Sequence, residues 1–404
     1  MSKKLLALLM AMVLSVYMLA GCGASEEAPT DAPAQEEQAV EEEKKEEEKP
    51  AEEKKEEAPA VEASETGMVE TFYDPDFSIE KLENGIKKVI DGDKRELILV
   101  PRELEEVPAE YADSIVVRTP VERAVFLSST QTCFFRAVDR PDLVDSIAGV
   151  SDGDWTEIEL IDQGLKDGKI QQVSSGMGEA DYELIQSLDP DIVFVYTGTS
   201  PQTEHIEKFK ELGINYAVDN EYMESNYMAR MEWMRFVLTF FNADEDVDKV
   251  MEAAQKRLDD AKAEIAGKEA PKVAIFSVSG GNVYGTSDSS WLGSMIKDMG
   301  GSNVFGDLPA GPVTPEAAFE AAQDADVIIY SSTPEWCNGM AGIKENFPLI
   351  EDCKAYENDN IYQYDDSFWM GIDKSDVMAV EMCSIFYPEV FNPGEMDFFV
   401  KVAK

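Results

Sequence analysis

Asn242–Gly267 reads NADEDVDKVMEAAQKRLDDAKAEIAG, and the rest of the chain divides on either side of it. Val247, Val250, Met251, Ala254, Leu258, Ala261 and Ile265 recur at three- and four-residue steps, the period of a helix with one buried stripe. Asn242 is a candidate cap, Asp244 to Asp246 suit the positive end of the helix dipole, and Gly267 is a stop signal. At 1.5 Å per residue a helix over Ala243–Ala266 spans about 36 Å, roughly the width of a domain. Short apolar runs alternate with helical patterns both before and after it, which predicts α/β lobes with parallel sheets. Two such lobes joined by one long linker helix enclose a cleft.

The first 66 residues are different in kind. Lys3 and Lys4 precede an apolar run from Leu5 to Ala20, a charged segment and hydrophobic segment of signal-peptide type. It closes on Leu19-Ala20-Gly21-Cys22, which resembles the lipobox of bacterial lipoproteins. That resemblance implies a signal peptide over residues 1–21, lipidation of Cys22, and an extracytoplasmic protein tethered to the cell membrane by its lipid anchor. Residues 22–66 are Glu, Lys, Ala and Pro with few large apolar side chains, an acidic spacer unable to bury a core. Gly23–Thr66 holds 17 acids against 5 lysines, a balance of −12. Subtracting this and the two early lysines from the total of −47 leaves −37 on the remainder. So acidic a body argues against nucleic acid and anionic lipid headgroups as partners.

Residues 67–120 show short alternating runs with turn signals at Asn84-Gly85 and Asp91-Gly92, the pattern of a small β extension. Residues 121–224 repeat strand, turn and helix, with strands at Arg123–Leu127, Ile147–Val150, Ile192–Tyr196 and Tyr216–Val218. Residues 225–267 hold the linker helices. Residues 268–404 resume the alternation, with strands at Lys272–Val278, Asp326–Tyr330 and Ile361–Tyr364 and a terminal helix over Lys374–Phe386. Ser279-Gly280-Gly281-Asn282 reads as a flexible loop.

Five blocks carry a family resemblance: VERAVFLSS, ADYELIQSLDPDIVFVYTG, ESNYMARMEWMRFV, SWLGSMIKDMGGSNVF and PEAAFEAAQDADVIIYSS. Their order and spacing resemble the substrate-binding lipoproteins of ABC importers for ferric siderophores, haem and cobalamin. The resemblance covers roughly Val121 to Val390. It implies two Rossmann-like lobes on one stiff connector, small hinge motion on binding, and permease subunits as partners. It also implies one exposed glutamate per lobe for permease docking, and Glu183 and Glu316 match those positions. The alternative is that both simply favour a helix amino terminus.

Loops at the carboxyl ends of parallel strands are where such folds bind ligands. The cleft candidates are Ser128, Ser129, Thr130, Gln131, Trp155, Met177, Tyr196, Tyr222, Trp336, Phe368 and Trp369. Flat rings suit a large, partly apolar chelate, although each is equally suited to core packing. Ser128–Gln131 offers hydroxyls and amides for a carboxylate or phosphate, or else a helix cap. Met177, Met223, Met228, Met340 and Met370 are either haem ligands or adaptable filler. Arg230 is expected to pair with Glu224 or Glu232, and His205, in EHIEKFKEL, to lie on the surface.

A single histidine argues against bare zinc or manganese as cargo and against a Ser-His-Asp triad. GxxxxGK[ST] and HExxH do not occur. Cys337 and Cys353 are read as free buried thiols or a pair. The reading is a non-catalytic monomer, without a resident cofactor, that captures a metal chelate and hands it to a permease. A ferric siderophore is the first expectation, cobalamin and haem the alternatives. A surface sensor or adhesin is the alternative of another class.

Overall fold

The structure, a computed structural model, describes residues 66–153, 158–174, 178–308 and 311–404. The signal peptide, Cys22, almost all of the spacer, Trp155 and Met177 lie outside the described residues. No helix among the described residues is long and apolar enough to cross a membrane.

The extension forms its own sheet, ordered β1 (Gly67–Met68), β2 (Ser78–Lys81), β3 (Lys87–Ile90), β4 (Glu96–Pro101) and β5 (Ile115–Thr119). The hairpins run antiparallel and only β4 and β5 pair in parallel. The first lobe carries an all-parallel sheet of order β10-β9-β6-β7-β8: β6 (Ala124–Phe126), β7 (Ile147–Val150), β8 (Gln171–Gln172), β9 (Ile192–Val195) and β10 (Tyr216–Val218). β6 and β9 are buried throughout, as parallel strands covered on both faces should be. The second lobe is ordered β12-β11-β14-β15-β16: β11 (Lys272–Ser279), β12 (Asn282–Gly285), β14 (Val327–Tyr330), β15 (Ile361–Tyr364) and β16 (Phe399–Lys401), with β13 (Ser302–Asn303) also on β11.

The lobes share a plan. In each, a first strand (β6, β11) pairs with a later one (β9, β14) fed by a short helix, and that strand pairs with the next (β10, β15). An aspartate precedes each later strand and locks the first one. Asp191 accepts from the amides of Glu122 (2.8 Å) and Arg123 (3.1 Å), and Asp326 from that of Lys272 (2.8 Å). One expectation fails here. Ser279–Asn282 is a tight turn, with Gly280 and Gly281 at φ +57 and +79, folding β12 back on β11. Positive φ at both central positions matches the right-handed twist of a hairpin and needs no side chain.

The connector consists of two helices. The first, Tyr227–Thr239, is buried at every residue, and Asn226 caps it by accepting from the amides of Met228 and Ala229. The second, Asp246–Ile265, buries Val247, Met251, Ala254, Leu258, Ala261 and Ile265 against Ser375–Phe386. Val250 is only partly buried. Asn242 does not cap this helix. It takes the left-handed φ of +54 and turns the chain between the two, so the long helix starts at Asp246 and is about 30 Å long.

Three bodies meet on the first connector helix, hereafter the spine. Toward the first lobe, Phe236 packs edge-on against Phe194 of β9 at 6.4 Å. Toward the second, Tyr227 donates to Asp298. Toward the extension, Phe77 lies 5.0 Å from Trp233, and Glu232 accepts from the amides of Phe72 and Tyr73. The extension also grips β10: the Gly92 amide donates to Val218 O (2.9 Å), and the Val218 amide to Asp91 Oδ2 (3.1 Å). Cys133, Cys337, Cys353 and Cys383 are buried, and Cys337 and Cys353 are free thiols that do not pair with each other.

Candidate functional site: the interlobe cleft

The carboxyl ends of β6, β9 and β10 in one lobe, and of β14 and β15 in the other, carry the candidate loops. Their floor is an unbroken chain of contacts from lobe to lobe. Ser128 Oγ and Thr130 Oγ1 lie 2.8 Å apart, and Thr130 donates to Glu221 Oε1 at 3.3 Å. Arg230 Nε on the spine donates to Glu221 Oε2 at 2.7 Å, both side chains being buried. The Arg230 guanidinium lies over the Trp291 ring at 4.5 Å. Trp291 stands 6.2 Å from Phe368, which stacks on Tyr364 at 3.6 Å and meets Trp369 edge-on at 5.3 Å. A second link crosses nearby: Arg136 of the first lobe pairs with buried Asp373 of the second at 2.8 Å.

The structure thus brings together Ser128, Thr130 and the Phe368–Trp369 pair. Ser129 opens a four-residue helix, Ser129–Thr132, that packs against Phe368–Met370. Tyr196 and Tyr222 form their own edge-on pair at 5.8 Å, with Tyr222 Oη donating to Thr197 O. Trp336 is half-buried on the loop after β14, which the Glu335 amide ties to Asp366 Oδ1 at 3.3 Å. Gln131 and Phe368 are buried, so they pack the floor beneath the cleft; Trp369 is the ring left exposed. Met228, Met340 and Met370 are buried as filler, whereas Met223 is 54% exposed at the rim.

Three expectations need correction. Arg230 pairs with Glu221, because Glu224 already accepts from Trp233 Nε1 and the Asp76 amide, and Glu232 from the extension. His205 is 3% exposed and shares a 2.7 Å hydrogen bond with Tyr182; burial lowers its pKa. Ser128 makes no side-chain cap, and the anion expected over its loop is supplied by the protein itself, as the Glu221 carboxylate. Beside this carboxylate lies Asp219, whose pKa burial and then the Glu221 charge push well up. Trp291 and Glu221 were missed by sequence reasoning. Trp291 opens a block already prominent for its helix pattern, but nothing local marks Glu221 as Arg230's partner.

Among the described residues no group of three or more His, Cys, Asp and Glu is arranged to hold a metal ion. A surface cavity of about 670 Å³ lies elsewhere, lined by Asp326, Asn360 and Pro393 among others, toward the amino ends of β14 and β15. Glu183 and Glu316 are exposed in the first turns of Tyr182–Ser187 and Pro315–Ala322, the helices that feed β9 and β14. A crossover helix runs back against its strand, so its amino end lies on the same rim as the cleft loops. Asp181 and Thr314 cap the two helices in the same way, accepting from the amides of Leu184 and Ala317.

Two lobes of one plan around a floor that joins them is the architecture of a binding protein, and comparison gives it a family. Residues 125–368 match the model of the family described as periplasmic binding protein. The chain belongs to the periplasmic binding protein family. It is 27% identical over 350 residues to an uncharacterized lipoprotein of Methanocaldococcus jannaschii, covering 82% of each chain. Among solved structures, a periplasmic heme-binding protein from Pseudomonas aeruginosa superposes with a TM-score of 0.56 at 13% identity, over 70% of this chain and 99% of that one. A nickel–histidine complex of Helicobacter pylori CeuE gives 0.52 at 20% identity, over 76% and 90%. At those identities the solved structures show the shared fold. The nearly complete coverage of the Pseudomonas protein leaves about three-tenths of this chain without a counterpart there. Members of this family bind small ligands and work with ABC permeases, and their extracytoplasmic setting accords with the lipoprotein relative.

Proposed function

We propose that this periplasmic binding protein is a lipid-anchored, non-catalytic monomer that captures an iron chelate, a ferric siderophore first among them, and delivers it to an ABC permease. One observation supports this above others: both lobes carry aromatic rings at the cleft loops and floor. Tyr196 and Tyr222 pair edge-on in one lobe, and in the other Trp291 lies against Arg230 and Trp369 meets Phe368 edge-on. Rings of this kind bury large area at low entropic cost, which suits a bulky, partly apolar chelate. Because the same rings suit a corrin, cobalamin is the second reading. Cys22 would hold the body at the membrane, and Glu183 and Glu316 would register its two lobes on a cationic permease rim.

Intrinsic tryptophan fluorescence tests the proposal, since Trp291 and Trp369 lie beside the floor. Ferric siderophores, cobalamin and haem are titrated in parallel. Saturable quenching by one of them is expected at sub-micromolar concentration; no response to any would favour a sensor or adhesin instead.

A further inference from the structure

The cleft is rich in acceptors and poor in free cations. Arg230 is held by Glu221 and Arg136 by Asp373, so neither guanidinium carries an uncompensated charge. Among the described residues of the candidate loops the one further base is Lys374, exposed and within Coulombic reach of Asp373. Acids, by contrast, recur on the second lobe's loops, at Glu335, Asp365 and Asp366, while Glu221 in the first lobe is the partner of Arg230.

The floor has the same bias. Gln131 Oε1 and Gln363 Oε1 are buried amide oxygens with no hydrogen-bond donor, placed at the carboxyl ends of β6 and β15. A buried acceptor without a donor is destabilising until a ligand supplies one. Where an anionic group would be received, at the start of Ser129–Thr132, the Glu221 carboxylate already accepts from Thr130. The chain as a whole carries −47. A polyanion entering this cleft loses hydration and gains no free cation, whereas a neutral or positive ligand with N–H or O–H donors meets partners.

We infer that the ligand is a neutral or cationic, donor-bearing chelate, of tris-hydroxamate or corrinoid type, and that tris-catecholate trianions and propionate-bearing haem are disfavoured. This rests on the chelate-capture reading above and adds the charge class of the cargo. The pairing of Arg230 is the central element: its positive charge is compensated inside the protein by Glu221.

Calorimetric titration of the intact mature chain with four probes tests it: ferrioxamine B (cationic), ferrichrome (neutral), cyanocobalamin (neutral) and ferric enterobactin (trianionic). The tightest neutral or cationic probe is expected to bind at least about tenfold more tightly than the trianion at low salt. The gap should narrow as NaCl screens the acidic rim. Equal or tighter binding of the trianion overturns the charge class and leaves chelate capture standing. A gap insensitive to salt also overturns it, since discrimination would then not be electrostatic. Binding of none overturns both readings.

Discussion

Replacing Arg230 with methionine keeps the apolar stem on the spine and removes the charge between Glu221 and Trp291. Both partners are buried, with side-chain exposures of 7% and 6%, so the variant leaves Glu221 in the interior with only Thr130 to donate to it. Removing one member of a buried pair costs about 3–5 kcal/mol, most of it the uncompensated charge. Asp219 aggravates the loss, because the Arg230 charge, after the hydrogen bond from the Glu221 amide, opposes the burial-driven rise of its pKa. For about 340 folded residues an unfolding entropy near 2.1 cal/mol/K per residue gives ~0.7 kcal/mol/K. The cost then reads out as a fall of ~4–7 °C in Tm. Urea unfolding near pH 8 measures it directly. Adding Glu221→Gln to Arg230→Met should restore more than half of the loss, because the orphaned charge goes with it. A single-variant loss below about 1 kcal/mol, or a double variant no better than the single, would refute this account of the floor.

Three further outcomes follow from the same geometry. The double variant Glu183→Ala, Glu316→Ala should bind ligand as tightly as the parent yet abolish permease-dependent uptake; unaltered uptake would remove the docking role. Asp219→Asn should flatten the pH dependence of stability. An acid whose folded pKa is raised above 3.8 binds more protons folded than unfolded, so parental stability declines as pH climbs from about 4 toward the folded pKa. Equal slopes in urea titrations across that range would count against it. Phe77→Ala, which empties the site against Trp233 and Phe236, should cost about 3–5 kcal/mol in the same assay, and a loss under 1 kcal/mol would mean the extension is not packed on the spine as described.

The strands were legible because parallel sheets covered on both faces must be written as apolar runs: Ile192–Val195 and Val327–Tyr330 sit where their sequence places them. The buried stripe of the long helix was legible for the corresponding reason of period, Val250 excepted. Its start was not, because Asn242 and the acids after it have the residue types of a cap and first turn, and conformation at one asparagine carries no periodic signal. His205 was hidden by its charged neighbours, although Gln202, His205, Ile206 and Phe209 fall on one helical face and are buried together. The spine was harder to see. Its hydrophobic pattern has no polar side, since three bodies cover it, and Arg230, Glu232 and Arg235 look like surface residues until their partners arrive from distant chain. Glu221 and Arg230 are nine positions apart across a turn, outside any helical spacing that sequence can reveal. The cleft rings were visible as residues, but which of them faces open space depended on packing: Phe368 went under and Trp369 stayed out.

The grip of the extension on β10 has a consequence for solubility. β10 is the outermost strand of the first lobe, and an uncovered edge of a buried parallel sheet is a template for another molecule's strand. In the second lobe the strand at the equivalent place, β15, is paired by the antiparallel β16, near the end of the chain. In the first lobe the Asp91–Gly92 turn occupies the Val218 amide and carbonyl, and Arg95 covers the Tyr216 ring at 3.6 Å. Chain from outside the α/β repeat thus closes one edge in each lobe, the extension from before it and β16 from after it. Trimming either end to a minimal two-lobed body would leave an open strand, and such a fragment would self-associate through it.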